Sequence, residues 1–264
     1  CCYVERFERD SFMILSVSRR TDIPSFYLDW VLNRLREGWL LVRNPFNPSQ
    51  VSRVPLSPSV IECIVFWTKN PEPLLMKLDQ LKPYRFYIQF TVNPYGKDLE
   101  SRLPELGKRL DVFRELSRKL GSERMVWRYS PVILNHIHSA ESHCAAFNTV
   151  ARALSGFTEE CKLSFLEMYA KIRSRMGALG VVERGDAETL ALAGRFAELA
   201  EKNSIRLSAC GKPDLRPAGI PVSSCIDGAL IQRITGKAMS FKKDPGQRGV
   251  CACVESVDVG SYQT

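Results

Sequence analysis

The chain has 264 residues, 45% of them hydrophobic and 25% charged, with a formal net charge of +8. That length suits one large α/β domain or two small ones, and the balance is that of a globular protein that needs no disulfides to fold. No stretch approaches 18 consecutive apolar residues, so no transmembrane helix and no membrane partner are expected.

The first twelve residues, CCYVERFERDSF, hold no Met and no signal-peptide pattern, and Met13 then opens the apolar run MILSV. Residues 1–12 therefore read as a non-native or upstream extension. Residues 13–264 read as a single α/β domain, with 210–264 as a cysteine-bearing C-terminal segment. A chain without an export signal is expected in the cytoplasm, where thiols stay reduced.

Short runs rich in branched residues alternate with stretches of helical spacing. Met13–Ser18 predicts a strand, and Ser25–Trp39, with Phe26, Trp30, Val31 and Leu35 near one face, predicts a helix that Pro24 helps to start. Residues 40–60 carry Asn-Pro twice between Val/Leu runs and read as a hairpin-like excursion with a Pro-rich tip. The alternation resumes with strands at Ile61–Trp67, Tyr84–Val92, Arg124–Tyr129, Cys161–Met168 and Ile205–Ala209. Helices are predicted over Pro71–Leu81, Leu103–Leu120, Ser139–Leu154, Ala187–Asn203 and Gly228–Thr235. About six βα units predict a parallel (β/α)6 partial-barrel-like domain, with a doubly wound sheet as the alternative.

In parallel α/β folds, function gathers at the carboxyl ends of the strands. Here those ends carry Arg19, Arg20 and Asp22, then Lys69 and Asn70, then Gln89 and Asn93, then Arg128 and Tyr129, then Glu167. We expect these residues to bind cofactor or substrate at one mouth, with Glu167 ionised among the cations and able to hold an amine or hydroxyls. An internal salt-bridge network is the competing explanation. No G-x-S-x-G, phosphate-binding loop or G-x-G-x-x-G after a strand offers another catalytic pattern.

Cys63, Cys144 and Cys161 lie within apolar patterns and read as buried thiols. Cys210, Cys225, Cys251 and Cys253 lie among Gly, Pro and charged residues, and this set is the candidate metal site, for a [4Fe–4S] cluster or, alternatively, zinc. His136, His138 and His143 match no ligand spacing and read as a loop and a helix start. The positive charge, with Trp67, Trp127 and Tyr129 beside basic residues, leaves nucleic-acid binding open, although the basic residues are spread along the chain as on a solvated surface.

The blocks SVSRRTDIP (16–24), LVRNPFNP (41–48), VFWTKNP (65–71), QFTVNPYG (89–96), MVWRYSP (125–131) and CACVESVDVGSYQT (251–264) resemble the bacterial and archaeal domain-of-unknown-function family 1848. The resemblance implies a radical S-adenosylmethionine-like iron–sulfur enzyme of unassigned substrate, with a C-x3-C-x2-C segment expected from Thr264 onward. Three thiolates would leave one iron of a [4Fe–4S] cluster open to S-adenosylmethionine, and reductive C–S cleavage would give a 5′-deoxyadenosyl radical that needs a dry cavity. If Val254–Gly260 is a strand leading there, Cys251 and Cys253 sit near its opposite end, about 20 Å away. They would then form a separate site with Cys225, and with Cys210 if the chain bends. Two rival readings keep the same scaffold: a nucleic-acid-binding or repair protein, and a non-catalytic metal-binding domain.

Overall fold

The structure, a computed structural model, describes residues 4–5, 12–44, 47, 49–182, 185–210, 214–247 and 251–261. In chain order the strands are β1 (Val4–Glu5), β2 (Met13–Val17), β3 (Trp39–Arg43), β4 (Val51–Pro55), β5 (Ile61–Thr68), β6 (Phe86–Thr91), β7 (Met125–Val132), β8 (Glu160–Phe165), β9 (Arg206–Ala209) and β10 (Val257–Asp258). The helices are α1 (Ile23–Phe26), α2 (Leu28–Glu37), α3 (Glu72–Leu75), α4 (Leu106–Leu120), α5 (Ala140–Leu154), α6 (Ala170–Ala178), α7 (Asp186–Lys202) and α8 (Gly228–Thr235).

Seven strands form one parallel sheet in the order β10-β2-β5-β6-β7-β8-β9. From β2 to β9 every step along the sheet goes the same way. A doubly wound sheet reverses direction at a switch point, whereas right-handed crossovers that never reverse leave their helices on one face, as in a barrel. Among the described residues the sheet is open: β9 and β10 are its edges, and no closed barrel forms. The seventh strand comes from the far end of the sequence. Val257 and Asp258 pair with Leu15 and Ser16, so the chain beyond them runs toward the carboxyl ends of the other strands.

Strict alternation of side chains separates the two faces. On the outer face Leu15, Val17, Phe66, Ile88, Phe90, Trp127 and Leu163 pack against Val31, Leu35, Phe113, Phe147 and Phe196 of the helices. On the inner face Ile14, Cys63, Val65, Tyr87 and Val126 pack against Leu230, Ile231 and Ile234 of α8. Burial on both faces explains why β5 reads IECIVFWT, nearly all apolar, rather than alternating. Toward the carboxyl ends the inner face turns polar, with Ser16, Gln89, Arg128, Lys162 and Ser208 on β2, β6, β7, β8 and β9.

The 40–60 excursion is a hairpin, β3 antiparallel to β4, to which Val4–Glu5 adds a parallel strand. Residues 45, 46 and 48 of its Pro-rich tip lie outside the described residues, as does most of the 1–12 extension. The first predicted helix breaks at Tyr27: Asp22 caps α1 by accepting from the Ser25 amide, and α2 starts separately at Leu28. The predicted 71–81 helix is likewise one short α turn followed by a 3-10 turn at Leu78–Leu81. Helix α6 has no counterpart in the sequence reading, because only Met176 of its nine residues is buried and no apolar stripe announces it. Among the described residues no helix is long and apolar enough to cross a membrane.

Candidate functional site

The carboxyl ends of the strands open into a cavity of about 450 Å³. Arg19, Arg20, Asp22, Lys69 and Arg128 line it, and so do Cys210, Cys225, Cys251 and Cys253. Ser18, Thr21, Trp67, Thr68, Thr91, Ser130 and Gln247 complete the wall.

Each charged group is fixed by its neighbours. Asp22 accepts from the Ser25 amide (3.1 Å) and the Lys69 amide (2.7 Å), tying the β2 loop to the β5 loop. Burial raises its carboxyl pKa, against the opposing pull of those hydrogen bonds. Lys69 Nζ donates to Glu100 Oε1 at 2.6 Å, and Glu100 also meets the buried Arg109 at 3.3 Å. Arg19 meets Asp244 (3.3 Å) and Asp258 (3.5 Å), and Arg20 donates to the Gly260 carbonyl (3.3 Å).

Arg128 differs from these. Its Nη1 donates to Cys225 Sγ at 3.0 Å and to Gln89 Oε1 at 3.4 Å, and its guanidinium lies over the Trp67 ring at 5.1 Å. No carboxylate partners it among the described residues. Burial works against its charge, but the Cys225 and Cys210 sulfurs outweigh burial and raise its pKa. The four thiols are mutual neighbours: Cys210 and Cys253 each reach both Cys225 and Cys251. Hydrogen bonds from Cys210 and Cys253 hold Cys225 well below the usual thiol range and Cys251 down to about 3, while Cys210 and Cys253 are raised in return. Cys253 Sγ also accepts from the Cys225 amide (3.2 Å) and the Ile226 amide (3.4 Å), so the protons belong to the set rather than to single sulfurs. Among the described residues no group of three or more His, Cys, Asp or Glu side chains has the geometry of a site for one metal ion.

The other expected mouth residues lie elsewhere. Gln89 is buried beneath the cavity, donating to the Cys225 carbonyl at 2.7 Å. Asn93 is buried in the loop after β6, where it bonds to the Ser130 amide and carbonyl (both 2.9 Å) and knits two strand ends together. Tyr129 points into the outer core and hydrogen-bonds His143 Nδ1 at 2.7 Å. It follows Arg128 in the same strand, and neighbouring strand residues face opposite sides. Asn70 caps the turn before α3 with its Oδ1 on the Glu72 amide (3.4 Å). Glu167 lies past the end of β8 and meets the Tyr169 hydroxyl at 3.1 Å, away from the cavity wall.

The expected distance between the CxC pair and the mouth is also corrected. The strand there spans only Val257–Asp258, and Cys251 and Cys253 line the same cavity as Arg19 and Lys69. Two residues the sequence reading passed over hold this arrangement. Asp258 accepts from Ser16 Oγ (2.9 Å), Ser18 Oγ (2.5 Å) and the Arg19 amide (2.8 Å). Lys162, fully buried, donates to the Ser224 carbonyl (2.7 Å) and to Glu160 (3.1 Å). An isolated Lys in a strand centre was the available signal, since a buried ammonium demands partners.

His143 donates from Nε2 to the Ile133 carbonyl (2.9 Å), and His138 meets Asp98 (2.9 Å). Trp67 carries Arg128 over its ring at 5.1 Å and donates to Ser16 Oγ at 3.0 Å, and Tyr129 is buried.

A family model described as a domain of unknown function (DUF1848) matches residues 14–264. The chain belongs to the DUF1848 family. The matched residues span the parallel sheet from Ile14 on, the cavity lining and all four clustered cysteines. A search of curated proteins found no match.

Proposed function

We propose that this DUF1848 protein is a radical S-adenosylmethionine-like iron–sulfur enzyme of the cytoplasm, with its active site in the cavity at the strand carboxyl ends. The observation that carries the reading is the wall of that cavity, where four neighbouring thiols face Arg19, Arg20, Lys69 and Arg128. Thiolate donors of this kind suit either an iron–sulfur cluster or zinc, and the resemblance favours the cluster. A cluster with an open iron, which the resemblance places on cysteines from Thr264 onward, would when bound supply the electron that cleaves S-adenosylmethionine.

The chain's own residues would do the rest. The cations give the cavity a positive potential suited to the carboxylate of S-adenosylmethionine. Lys69, with 41% of its side chain exposed, is the cation best placed to reach a ligand. Asp22 supplies a carboxylate on the same wall for the ligand's amine or ribose hydroxyls. Trp67 and the α8 side of the inner face exclude water from below.

The rival reading as a non-catalytic metal-binding domain has one observation in its favour: below the mouth, the inner face is filled by α8 and its flanking segments. The test is anaerobic expression of the chain, extended through the C-x3-C-x2-C segment that the resemblance places from Thr264 onward. Reduction with dithionite should release methionine and 5′-deoxyadenosine from S-adenosylmethionine. Tight binding of iron and sulfide with no cleavage under any reductant would favour the non-catalytic reading.

A further inference from the structure

The inner wall of the sheet is built around one peptide. Tyr87 Oη (2.9 Å) and Gln89 Nε2 (2.7 Å), neighbours on the inner face of β6, both donate to the Cys225 carbonyl. Lys162 from β8 donates to the preceding carbonyl, that of Ser224, at 2.7 Å. Arg128 from β7 donates to the Cys225 sulfur itself. The amides of Cys225 and Ile226 then both point at Cys253 Sγ, and Ser224 Oγ holds the Ala252 carbonyl (2.6 Å), which fixes the CxC segment against the same turn.

These contacts have a cost that a purely structural role does not explain. Buried Lys162 has Glu160 (3.1 Å) and Asp227 (3.8 Å) to offset its charge, but Arg128 lies in the inner face with sulfur, amide, hydroxyl and ring contacts and, among the described residues, no carboxylate. Desolvating a guanidinium is expensive unless an anion is close, and among the described residues the cysteine sulfurs, Cys225 Sγ at 3.0 Å first, are the groups within its reach that can carry that charge. Amide N–H groups aimed at a sulfur likewise stabilise the thiolate, which is the ligand form of cysteine. Four sulfurs contributed by three separate segments, with a cation and two amides directed at them, form a prebuilt thiolate site.

We propose that Cys210, Cys225, Cys251 and Cys253 ligate an iron–sulfur cluster of this chain's own, distinct from any bound by cysteines from Thr264 onward. It rests on the iron–sulfur part of the reading above but not on S-adenosylmethionine chemistry. A cluster with all four irons held by protein thiolates has no open iron, so this centre would transfer electrons or anchor the mouth rather than cleave a substrate.

The test uses residues 1–264 with Cys1 and Cys2 changed to Ser, so that the N-terminal thiols cannot contribute. The protein is reconstituted anaerobically with mixed ferrous and ferric iron and sulfide, and separately with zinc. Expected are about four iron and four sulfide per chain with a broad visible absorption band. Cys225→Ala should reduce both to the protein-free blank. Cys251→Ala should do so as well, and because Cys251 is only partly buried, this variant guards against a mere folding failure. Cys144→Ala should keep the full content. Iron that survives both ligand substitutions, or one tightly bound zinc with no iron uptake, would overturn the assignment. Full iron in this chain together with no S-adenosylmethionine cleavage by the extended one would defeat the enzyme reading alone.

Discussion

Asp258→Asn tests whether the last strand locks the mouth. The Asp258 carboxylate is 4% exposed and accepts from the hydroxyls of Ser16 and Ser18 and from the amides of Arg19 and Gly260 (3.0 Å), with Arg19 Nε at 3.5 Å. An amide in its place loses the charge and presents N–H groups to donors. At least two charge-assisted hydrogen bonds fail, and each contributes about 1.5–3 kcal/mol. The expected loss is therefore about 3–6 kcal/mol, concentrated on a two-residue edge strand that little else holds. Local opening is the consequence. The Val259 amide, bonded to the Ser16 carbonyl at 3.0 Å, should exchange its hydrogen about 100-fold faster or more, at tenfold per 1.4 kcal/mol. Amides of β5 to β8 should keep their protection. Gly260→Ala should act in the same direction, since a Cβ there would collide with the Ser18 side chain. Unchanged protection at Val259 in Asp258→Asn would refute the lock.

Other outcomes follow from the same geometry. Glu100→Gln leaves Lys69 and the buried Arg109 without their shared carboxylate, and should cost about 3–5 kcal/mol in urea unfolding; a loss under about 1 kcal/mol would contradict the network. His143 donates to a carbonyl from Nε2, so it accepts the Tyr129 hydroxyl at Nδ1 and is neutral, and burial, with His138 nearby, lowers its pKa below 6.5. The unfolded chain therefore takes up a proton first as pH falls. Stability should be full above about pH 6.5 and should drop below it by at most about 1.4 kcal/mol per pH unit. The difference in urea midpoint between pH 7.5 and 5.5 should shrink in His143→Gln, and an unchanged difference would show that His143 is not the group responsible.

Much of the scaffold was legible because its signals are local. The β-branched and aromatic runs mark β2, β5, β6, β7 and β8, and α8 begins and ends where Asp227 and Gly236 cap it. What the sequence could not supply is long-range. Pairing of Val257–Asp258 with Leu15–Ser16 spans 242 residues, and nothing local announces it. The same limit misplaced the CxC pair, since a six-residue strand was assumed where two residues suffice. Arg128 and Tyr129 show a different limit: the strand is plain in the sequence, but only its period of two and its place in the sheet decide which neighbour faces inward. Asn93 and Glu167 fell past the strand ends, where backbone direction, not alternation, decides what a side chain meets. Thiols in polar, irregular segments were the informative signal for the cavity, because buried structural cysteines such as Cys161 sit in apolar stripes instead.

The central claim is that the strand-end cavity holds iron among the four clustered thiols. Its most direct measurement is a crystal structure of the anaerobically reconstituted chain, with diffraction collected at the iron absorption edge. Anomalous density is expected inside the cavity, bounded by Cys210, Cys225, Cys251 and Cys253 with Arg128 beside it. Iron located away from those sulfurs, or two disulfides filling the space between them in an iron-free crystal grown from fully loaded protein, would contradict it.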